Sequence, residues 1–244
     1  MSFWDVFRKK KIPPGDPVTQ KAGVKLININ AEKATRMAAA DELAEMGTPE
    51  AVFCLLQRFT IVIGGPTPDE DEKKHVWNII VNVGRTAVEP LMKFMREKET
   101  VGQALEILKE ITRETNYLDL LLELSESFDP YYSKYPDKKI QVFREISSFR
   151  DARIIDTLKP FLDDDDDDIR MAALAAITAQ DDEETVREIL IQTIIESYER
   201  PRIRLMACEA MVSKQLNVKG YRKQIENVLP DNFYLNKKGQ VLSR

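Results

Sequence analysis

The sequence predicts an all-α protein, a right-handed α-solenoid of about six helical hairpins. Residues 162–190, LDDDDDDIRMAALAAITAQDDEETVREIL, contain two amphipathic helices in which apolar residues recur at three- and four-residue steps. A hairpin this small cannot cover both of its apolar faces, so it requires neighbouring hairpins. Internal repetition supplies them. Residues 36–39 repeat residues 170–173 letter for letter, and Ile203-Arg204 repeats Ile169-Arg170.

The composition agrees with stacked helices and shows a marked charge asymmetry. Of the 244 residues, 43% are hydrophobic and 32% are charged, and strict alternation of β-branched residues is scarce. The net charge of −5 combines two basic ends with an acidic body, since residues 37–199 carry 18 Lys/Arg against 35 Asp/Glu. Because an acidic surface repels phosphate, nucleic acid is an unfavourable partner along most of the chain.

Cysteine usage and hydropathy predict a cytoplasmic protein. Cys54 and Cys208 are isolated in apolar helical surroundings, which favours two small buried residues over a disulfide or a reactive pair. The first apolar stretch is too short for a signal peptide, and no run of about 18 apolar residues could cross a bilayer.

Residues 1–30 precede the repeats as an N-terminal segment followed by a linker or cap. Three aromatic residues would share a helical face and four cations follow them: Phe3, Trp4 and Phe7, then Arg8, Lys9, Lys10 and Lys11. This pattern is typical of a weak, reversible anchor at the inner face of a membrane or on a second protein. The alternative is a peptide that docks on the first repeat or stays disordered.

Six hairpins follow between residues 31 and 229, with breaks in the pattern near residues 64–69 and 126–137. Their approximate bounds are 31–63, 70–96, 101–125, 138–162, 162–190 and 203–229, and residues 230–244 form a C-terminal cap or tail. Thr48 and Pro49 are the clearest local signal, because threonine is a good N-cap and proline suits the first helical position. The second break, SFDPYYSKYPD, contains three tyrosines and is interpreted as an ordered insertion.

Residues 150–177, RDARIIDTLKPFLDDDDDDIRMAALAAI, resemble the HEAT-repeat family, in particular its short bacterial form, which also occurs in phycobilin lyases. The family pattern has an Asp in the turn within a hairpin, Leu-Leu-Asp-Asp after the second helix, and Val-Arg before an Ala-rich first helix. The matching positions are Asp151, Leu162, Asp163, Asp164, Ile169 and Arg170.

This resemblance implies a HEAT/armadillo-like superhelix over about residues 31–229, with the second helices along its concave side. An arginine at the start of a first helix is expected to hydrogen-bond the backbone of the preceding turn and fix the stacking angle. The chain departs from the family at Pro160, where we expect a kink.

The sequence offers no pattern for catalysis, a cofactor or a metal. Six consecutive aspartates lack the Gly and Glu of an EF-hand loop, so we interpret them as an acidic turn at a helix N-terminus, with weak Ca²⁺ or Mg²⁺ binding as the alternative. A single histidine, His75, excludes a HEAT-like di-iron hydroxylase and leaves no catalytic dyad. Trp77 lies among Val76, Ile79 and Ile80, which favours core packing over stacking on a base or chromophore.

We therefore predict a non-catalytic scaffold that binds a protein or peptide on the concave row of second helices. The polar positions there are mixed in sign, unlike the basic floor of HEAT-like DNA glycosylases. The predicted floor comprises Arg58, Glu89, Lys93, Asp119, Glu123, Asp156, Lys159, Glu188, Gln192 and Glu226. In the insertion, Tyr131, Tyr132 and Tyr135 are candidate aromatic anchors.

Two other functions stay open at this point. A role like that of phycobilin lyases, as a bilin lyase or chromophore chaperone, follows only from the shared repeat, and an absorbance titration with a bilin distinguishes it. Nucleic-acid binding through the basic ends predicts strongly salt-dependent association.

Overall fold

A computed structural model describes residues 15–112, 114–197 and 200–244. The predicted N-terminal anchor, residues 3–11, lies outside this part of the chain. The described chain is mainly helical and ends in a small antiparallel hairpin, which confirms the predicted all-α class. None of its described helices has the length and apolar character needed to cross a membrane. The chain divides into two compact units, unit 1 (Met1–Leu120) and unit 2 (Leu121–Arg244).

Unit 1 consists of helices joined by short turns. Their bounds are α1 Pro17–Leu26, α2 Lys33–Met46, α3 Pro49–Leu56, α4 Pro66–Val83, α5 Val88–Glu97 and α6 Gly102–Ile111. Two 3₁₀ segments, Gln57–Thr60 and Gly84–Ala87, follow α3 and precede α5. Helix α7, Glu114–Glu126, includes the residues at which the division between the units falls.

The helices of unit 1 pack in chain order in two rows. Helix α2 contacts α4 and α4 contacts α6, while α3 contacts α5, and consecutive helices such as α2 and α3 also contact each other. The core is formed by fully buried apolar side chains, among them Leu43, Leu55, Ile80, Phe94 and Ile107. Within unit 1, neighbouring hairpins therefore cover each other's apolar stripes.

Helix α1 occupies a segment that the sequence left as a linker or cap. Asp16 caps it by accepting the N–H groups of Val18 and Thr19 at 2.8 and 3.1 Å. The helix contacts both α2 and α3, and its Ala22 and Leu26 are fully buried. This element therefore covers the first hairpin of unit 1.

The turn between α2 and α3 has the predicted cap. Thr48 Oγ1 accepts the N–H of Ala51 at 3.2 Å, and Pro49 is the first helical residue. Gly47 ends α2 with φ at 59°, a left-handed conformation that glycine adopts without a Cβ penalty. The predicted start of the second helix is confirmed.

Unit 2 is built from further helices and closes with two short strands. Their bounds are α8 Pro136–Ile146, α9 Arg153–Leu158, α10 Asp167–Thr178, α11 Glu183–Glu196, α12 Pro201–Ser213, α13 Arg222–Val228, β1 Phe233–Leu235 and β2 Val241–Ser243. Residues 162–190, which were predicted to hold two amphipathic helices, form α10 and the first part of α11.

Helix α10 packs against α8, α9 and α12 and against the 3₁₀ segment Lys159–Asp163. Its Ala173 and Ala176 are fully buried, and these small side chains allow neighbouring helices to approach closely. Helix α11 contacts α12 and α13, and β2 contacts α12. The two strands pair antiparallel with Phe233 opposite Ser243, so the C-terminal segment left as a cap or tail is a β-hairpin.

The end of the fourth predicted hairpin differs from the expected kinked helix. Helix α9 is only six residues long and is followed by a 3₁₀ segment, Lys159–Asp163, with Pro160 near its start. Proline lacks the N–H that an α-helix uses, so the α-helix ends before it. The helix is interrupted near Pro160, as expected, but it changes from an α-helix to a 3₁₀ segment instead of continuing as a kinked α-helix.

Candidate functional site

The turns that precede α2 and α10 are each held by an arginine of the following helix. Arg170 donates from Nε to the carbonyl oxygen of Asp164, and Arg36 donates from Nη1 to the carbonyl oxygen of Ala31. Both arginines belong to the repeated Arg-Met-Ala-Ala motif. The predicted hydrogen bond from a first-helix arginine to the turn backbone is confirmed at both places.

Arg58 belongs to a buried ion network, so its assignment to a binding floor was wrong. Its side chain is 0% exposed, and its Nη2 lies 2.6 Å from Asp69 Oδ1 and 3.3 Å from Glu72 Oε2. From α2, Arg36 donates to the two carboxylate oxygens of Glu72 at 2.6 and 2.9 Å. The network joins α2, the 3₁₀ segment after α3, and α4, and Arg58 cannot contact a partner there.

The carboxylates of this network are held in their charged form. Hydrogen bonds from Arg36 lower the pKa of Glu72 and outweigh the opposing effect of burial. Burial acts to raise the pKa of Asp69, but hydrogen bonds from Lys73, Arg58 and the Ile63 N–H, with the Arg58 charge, together outweigh it and leave this pKa lowered. Because both carboxylates are charged, they compensate the buried guanidinium groups. The sequence signal was the three-residue spacing of the two acids, which places them on one face of α4.

Three of the predicted floor residues come together in an open groove of unit 2. Lys159 lies on the 3₁₀ segment after α9, and Glu188 and Gln192 lie one turn apart on α11. All three are exposed, and the groove encloses about 500 Å³. We call it the α9–α11 groove. Its other charged and polar lining residues are Asp163, Arg170, Thr193, Glu196, Ser197 and Arg200.

The charges of the α9–α11 groove are mixed in sign. Three cations and three carboxylates line it: Lys159, Arg170, Arg200, Asp163, Glu188 and Glu196. Two of the cations are oriented by unit 2 itself, because Arg170 donates to the Asp164 carbonyl and Arg200 pairs with Asp167. Such a surface can select a partner by the positions of its charges. Arg170 had been assigned only to the turn, and Arg200 was not predicted.

The other predicted floor residues do not line this groove. Glu89 and Lys93 are exposed one turn apart on α5 in unit 1. Asp119 and Glu123 are exposed on α7, and Glu226 is exposed on α13. Their exposure is compatible with binding, but the structure does not gather them into one site.

Asp156 lines a second groove of unit 2, here called the α7–α9 groove. It encloses about 400 Å³ between the end of α7 with the residues after it and α9 with its 3₁₀ segment. Its lining residues are Ser125, Glu126, Phe128, Pro130, Asp156, Thr157, Pro160 and Phe161. The segment Arg153–Asp163 therefore contributes to both grooves.

The tyrosines of the insertion are exposed on a fixed backbone. Tyr131, Tyr132 and Tyr135 are 60%, 62% and 36% exposed. Asp129 Oδ1 accepts the N–H groups of Tyr131 and Tyr132 at 2.9 and 3.2 Å. The Tyr131 carbonyl oxygen accepts the N–H of Asp165 at 3.0 Å. The backbone of the loop is therefore fixed by a side chain, Asp129, and by a backbone hydrogen bond, while the tyrosine side chains are exposed to solvent.

Lys139 and Asp164 form a buried ion pair that sequence reasoning missed. The distance from Nζ to Oδ2 is 2.6 Å, and the side chains are 3% and 0% exposed. The ammonium also donates to the carbonyl oxygens of Asp129 and Tyr132 and lies 5.2 Å from the centroid of the Phe161 ring. Nothing in a run of six aspartates distinguishes Asp164 from its neighbours.

The rest of the aspartate run caps α10 and pairs with cations. Asp166 Oδ1 accepts the N–H of Asp168 at 2.8 Å, which agrees with an acidic turn at a helix N-terminus. Asp167 pairs with Arg200, and Asp168 pairs with Arg202 at 2.8 Å. Among the side chains that the structure describes, no group of three potential metal ligands is found.

His75 and Trp77 lie on the surface of unit 1. His75 Nε2 is 2.8 Å from Asp41 Oδ1, and both side chains are exposed. Trp77 is only partly buried and lines a shallow groove with Lys74 and Gln103, so the predicted core packing does not hold for the whole indole. Of its apolar neighbours on the same helix, Val76 and Ile80 are fully buried, whereas Ile79 is partly buried.

The two cysteines are buried, as predicted. Cys54 is 1% exposed and Cys208 is 0% exposed, and both are free thiols. Burial raises the pKa of Cys54 to about 11 and that of Cys208 to about 12. Both thiols are therefore protonated and unreactive near neutral pH.

Comparisons with known proteins give no relative. No protein-family model matches the chain, and neither the search of curated proteins nor the search of solved structures found a match. The charges and exposure of the residues that line the two grooves are therefore the evidence for a function.

Proposed function

We propose that this chain is a non-catalytic interaction scaffold, a HEAT/armadillo-like solenoid that binds a partner protein on the surface of its second helices. The α9–α11 groove is the observation that supports this most, because Lys159, Glu188 and Gln192 are exposed together in it. The repeated sequence motif and the chain-order packing within each unit support the repeat assignment.

The lining of the α9–α11 groove suits a protein or peptide better than a small molecule. Small-molecule sites are mostly apolar, with a few converging polar groups. This groove has charges of both signs along its walls, and a protein surface can match several of them at once. Arg170 and Arg200 are already fixed by hydrogen bonds within unit 2, so less side-chain freedom is lost on binding.

Substitution of the groove residues tests this function. The triple variant Lys159→Ala/Glu188→Ala/Gln192→Ala removes exposed side chains, so the fold is expected to persist. Wild type and variant serve as baits in a lysate of the source cells, and captured proteins are quantified by mass spectrometry. The variant is expected to lose most of a protein that the wild type retains.

A matched control alters the same residue types elsewhere in unit 2. Lys237→Ala/Glu209→Ala/Gln224→Ala changes three exposed residues outside the groove and is expected to capture the same protein as the wild type. Equal capture by the groove variant and the wild type would remove the α9–α11 groove as the binding site.

A further inference from the structure

The α7–α9 groove differs in chemistry from the mixed-charge α9–α11 groove. Phe128 and Phe161 supply aromatic rings, and Pro130 and Pro160 supply pyrrolidine rings to its lining. Phe161 is nearly buried, at 3% exposed, so it forms a floor rather than a rim. The result is a ring-lined depression, which fits flat or cyclic apolar groups.

The charged side chains among the described lining residues are both carboxylates. Glu126 and Asp156 are exposed at this groove. Of the nearby cations, Lys139 is buried against Asp164, whereas the Lys138 ammonium lies 5.7 Å from the centroid of the lining Phe128 ring and adds one positive charge near the groove. The two charged residues of the lining itself are thus both negative, which favours a cationic occupant.

Tyr131 and Tyr132, both exposed, directly follow the lining residue Pro130 in the sequence. The backbone of Tyr131 and Tyr132 is fixed by Asp129, by Lys139 and by the N–H of Asp165. Aromatic side chains on a fixed backbone supply contact area at a small loss of conformational freedom. The two residues are 60% and 62% exposed, so their side chains are accessible to a partner.

We propose that the α7–α9 groove and these two tyrosines bind a basic, proline-containing segment of a partner protein. This inference rests on the proposed scaffold function and names the partner chemistry for the second groove. Proline rings pack on aromatic side chains, and a polyproline segment is extended before it binds. An arginine or lysine in that segment would pair with Glu126 or Asp156. The same carboxylates disfavour acidic peptides and nucleic acids.

Fluorescence anisotropy with three labelled hexapeptides tests the occupant. The probe is Arg-Pro-Pro-Arg-Pro-Pro, and the comparison peptides replace every Arg by Glu or every Pro by Ala. The 244-residue chain is expected to bind the first peptide saturably, to bind the Ala peptide about tenfold more weakly, and not to bind the Glu peptide.

Two variants locate the binding. Tyr131→Ala/Tyr132→Ala keeps the backbone hydrogen bonds of the loop and is expected to weaken binding of the Arg-Pro probe about tenfold. Its control is Tyr234→Ala, a tyrosine 41% exposed on β1. Glu126→Gln/Asp156→Asn is expected to weaken binding and to reduce its salt dependence. The control for that variant is Glu209→Gln/Asp231→Asn, two exposed acids outside the groove.

Three results would overturn this inference. They are no saturable binding of the Arg-Pro probe up to about 1 mM, equal affinity for the Ala peptide, and groove variants that bind like their controls. The last result would show only a general attraction of cations to an acidic protein. The capture experiment with the triple variant of the α9–α11 groove does not use these peptides. If that variant loses its captured protein but the Arg-Pro probe does not bind, the scaffold function stands and only the proposed partner chemistry of the α7–α9 groove is overturned.

Discussion

Lys139 and Asp164 form an ion pair of 2.6 Å in which both side chains are buried. The pair links α8 to the turn before α10, and the same ammonium holds the carbonyl oxygens of Asp129 and Tyr132 in the insertion. Taking two charges out of water is costly, but here the ammonium has several acceptors in place of solvent. Lys139 therefore holds the insertion together with the Asp129 side chain and the N–H of Asp165.

Lys139→Met is expected to lower the free energy of unfolding by about 3–5 kcal/mol, because it leaves the Asp164 carboxylate buried without its partner. Urea unfolding followed by circular dichroism measures the loss. The control is Arg202→Met, which breaks a pair with Asp168 whose side chains are 61% and 59% exposed. That variant is expected to lose less than about 1 kcal/mol. Equal losses in the two variants would contradict the burial argument.

Acid is expected to destabilise unit 1 through Asp69 and Glu72. Both pKa values are lowered in the folded chain from their ordinary values of 3.8 and 4.5. A lowered pKa means that the unfolded chain binds protons more readily. The network therefore stabilises the fold fully above the ordinary pKa values and loses this contribution as the pH falls through the folded ones.

Urea unfolding at a series of pH values between about 7 and 3 measures this dependence. The variant Glu72→Gln removes one of the two titrating groups and leaves Arg36 and Arg58 less compensated. It is expected to be less stable than wild type near neutral pH and to lose less stability on acidification. A variant whose profile runs parallel to that of wild type would exclude Glu72 as a source of acid sensitivity.

Gln180→Leu is expected to cost about 1–3 kcal/mol of stability. Gln180 is 2% exposed; its Oε1 accepts the N–H of Asp151 at 3.0 Å and its Nε2 donates to the carbonyl oxygen of Phe149 at 3.2 Å. Leucine would leave both backbone groups without these hydrogen bonds. Gln192→Leu, at an exposed position of α11, provides the matched comparison and is expected to change stability little. Thermal unfolding of the two variants measures their stability. Equal stability of Gln180→Leu and Gln192→Leu would contradict a structural role for the Gln180 hydrogen bonds.

The two buried thiols report separately on the two units. Cys54 lies in unit 1 and Cys208 in unit 2, with pKa values raised by burial to about 11 and about 12. Both are expected to resist iodoacetamide near neutral pH until the surrounding structure opens. Lys139→Met should therefore speed the labelling of Cys208 while leaving that of Cys54 unchanged. Peptide mass spectrometry follows each site, and equal acceleration at both would contradict independent opening.

Much of the helical architecture could be predicted from the sequence, because apolar periodicity reports which face of a helix is buried. The helices α10 and α11 and the Thr48 cap are examples. The same periodicity does not show which charges meet across elements. Arg58 was assigned to the concave floor because it is a polar position on a predicted second helix, whereas its partners Asp69 and Glu72 come from the next helix.

The candidate site was predictable only in part, for a related reason. Counting polar positions on second helices found Lys159, Glu188 and Gln192, which the structure brings together. It did not find Arg200, because that residue precedes α12 and reaches the groove only through the tertiary fold. The same method does not reveal that Lys139 fixes the loop with Tyr131 and Tyr132, because the carbonyl groups that Lys139 contacts lie outside any helix.

Site-specific photocrosslinking tests most directly whether the second-helix surface of unit 2 binds a partner protein. A photoreactive phenylalanine derivative replaces Gln192 in the α9–α11 groove, and a separate protein carries it at Gln224, which is exposed on α13 outside the groove. After irradiation in a lysate of the source cells, the Gln192 position is expected to give a discrete adduct with one protein, and the Gln224 position is expected to give none. The same adduct from both positions, or from Gln224 alone, would contradict binding at this groove.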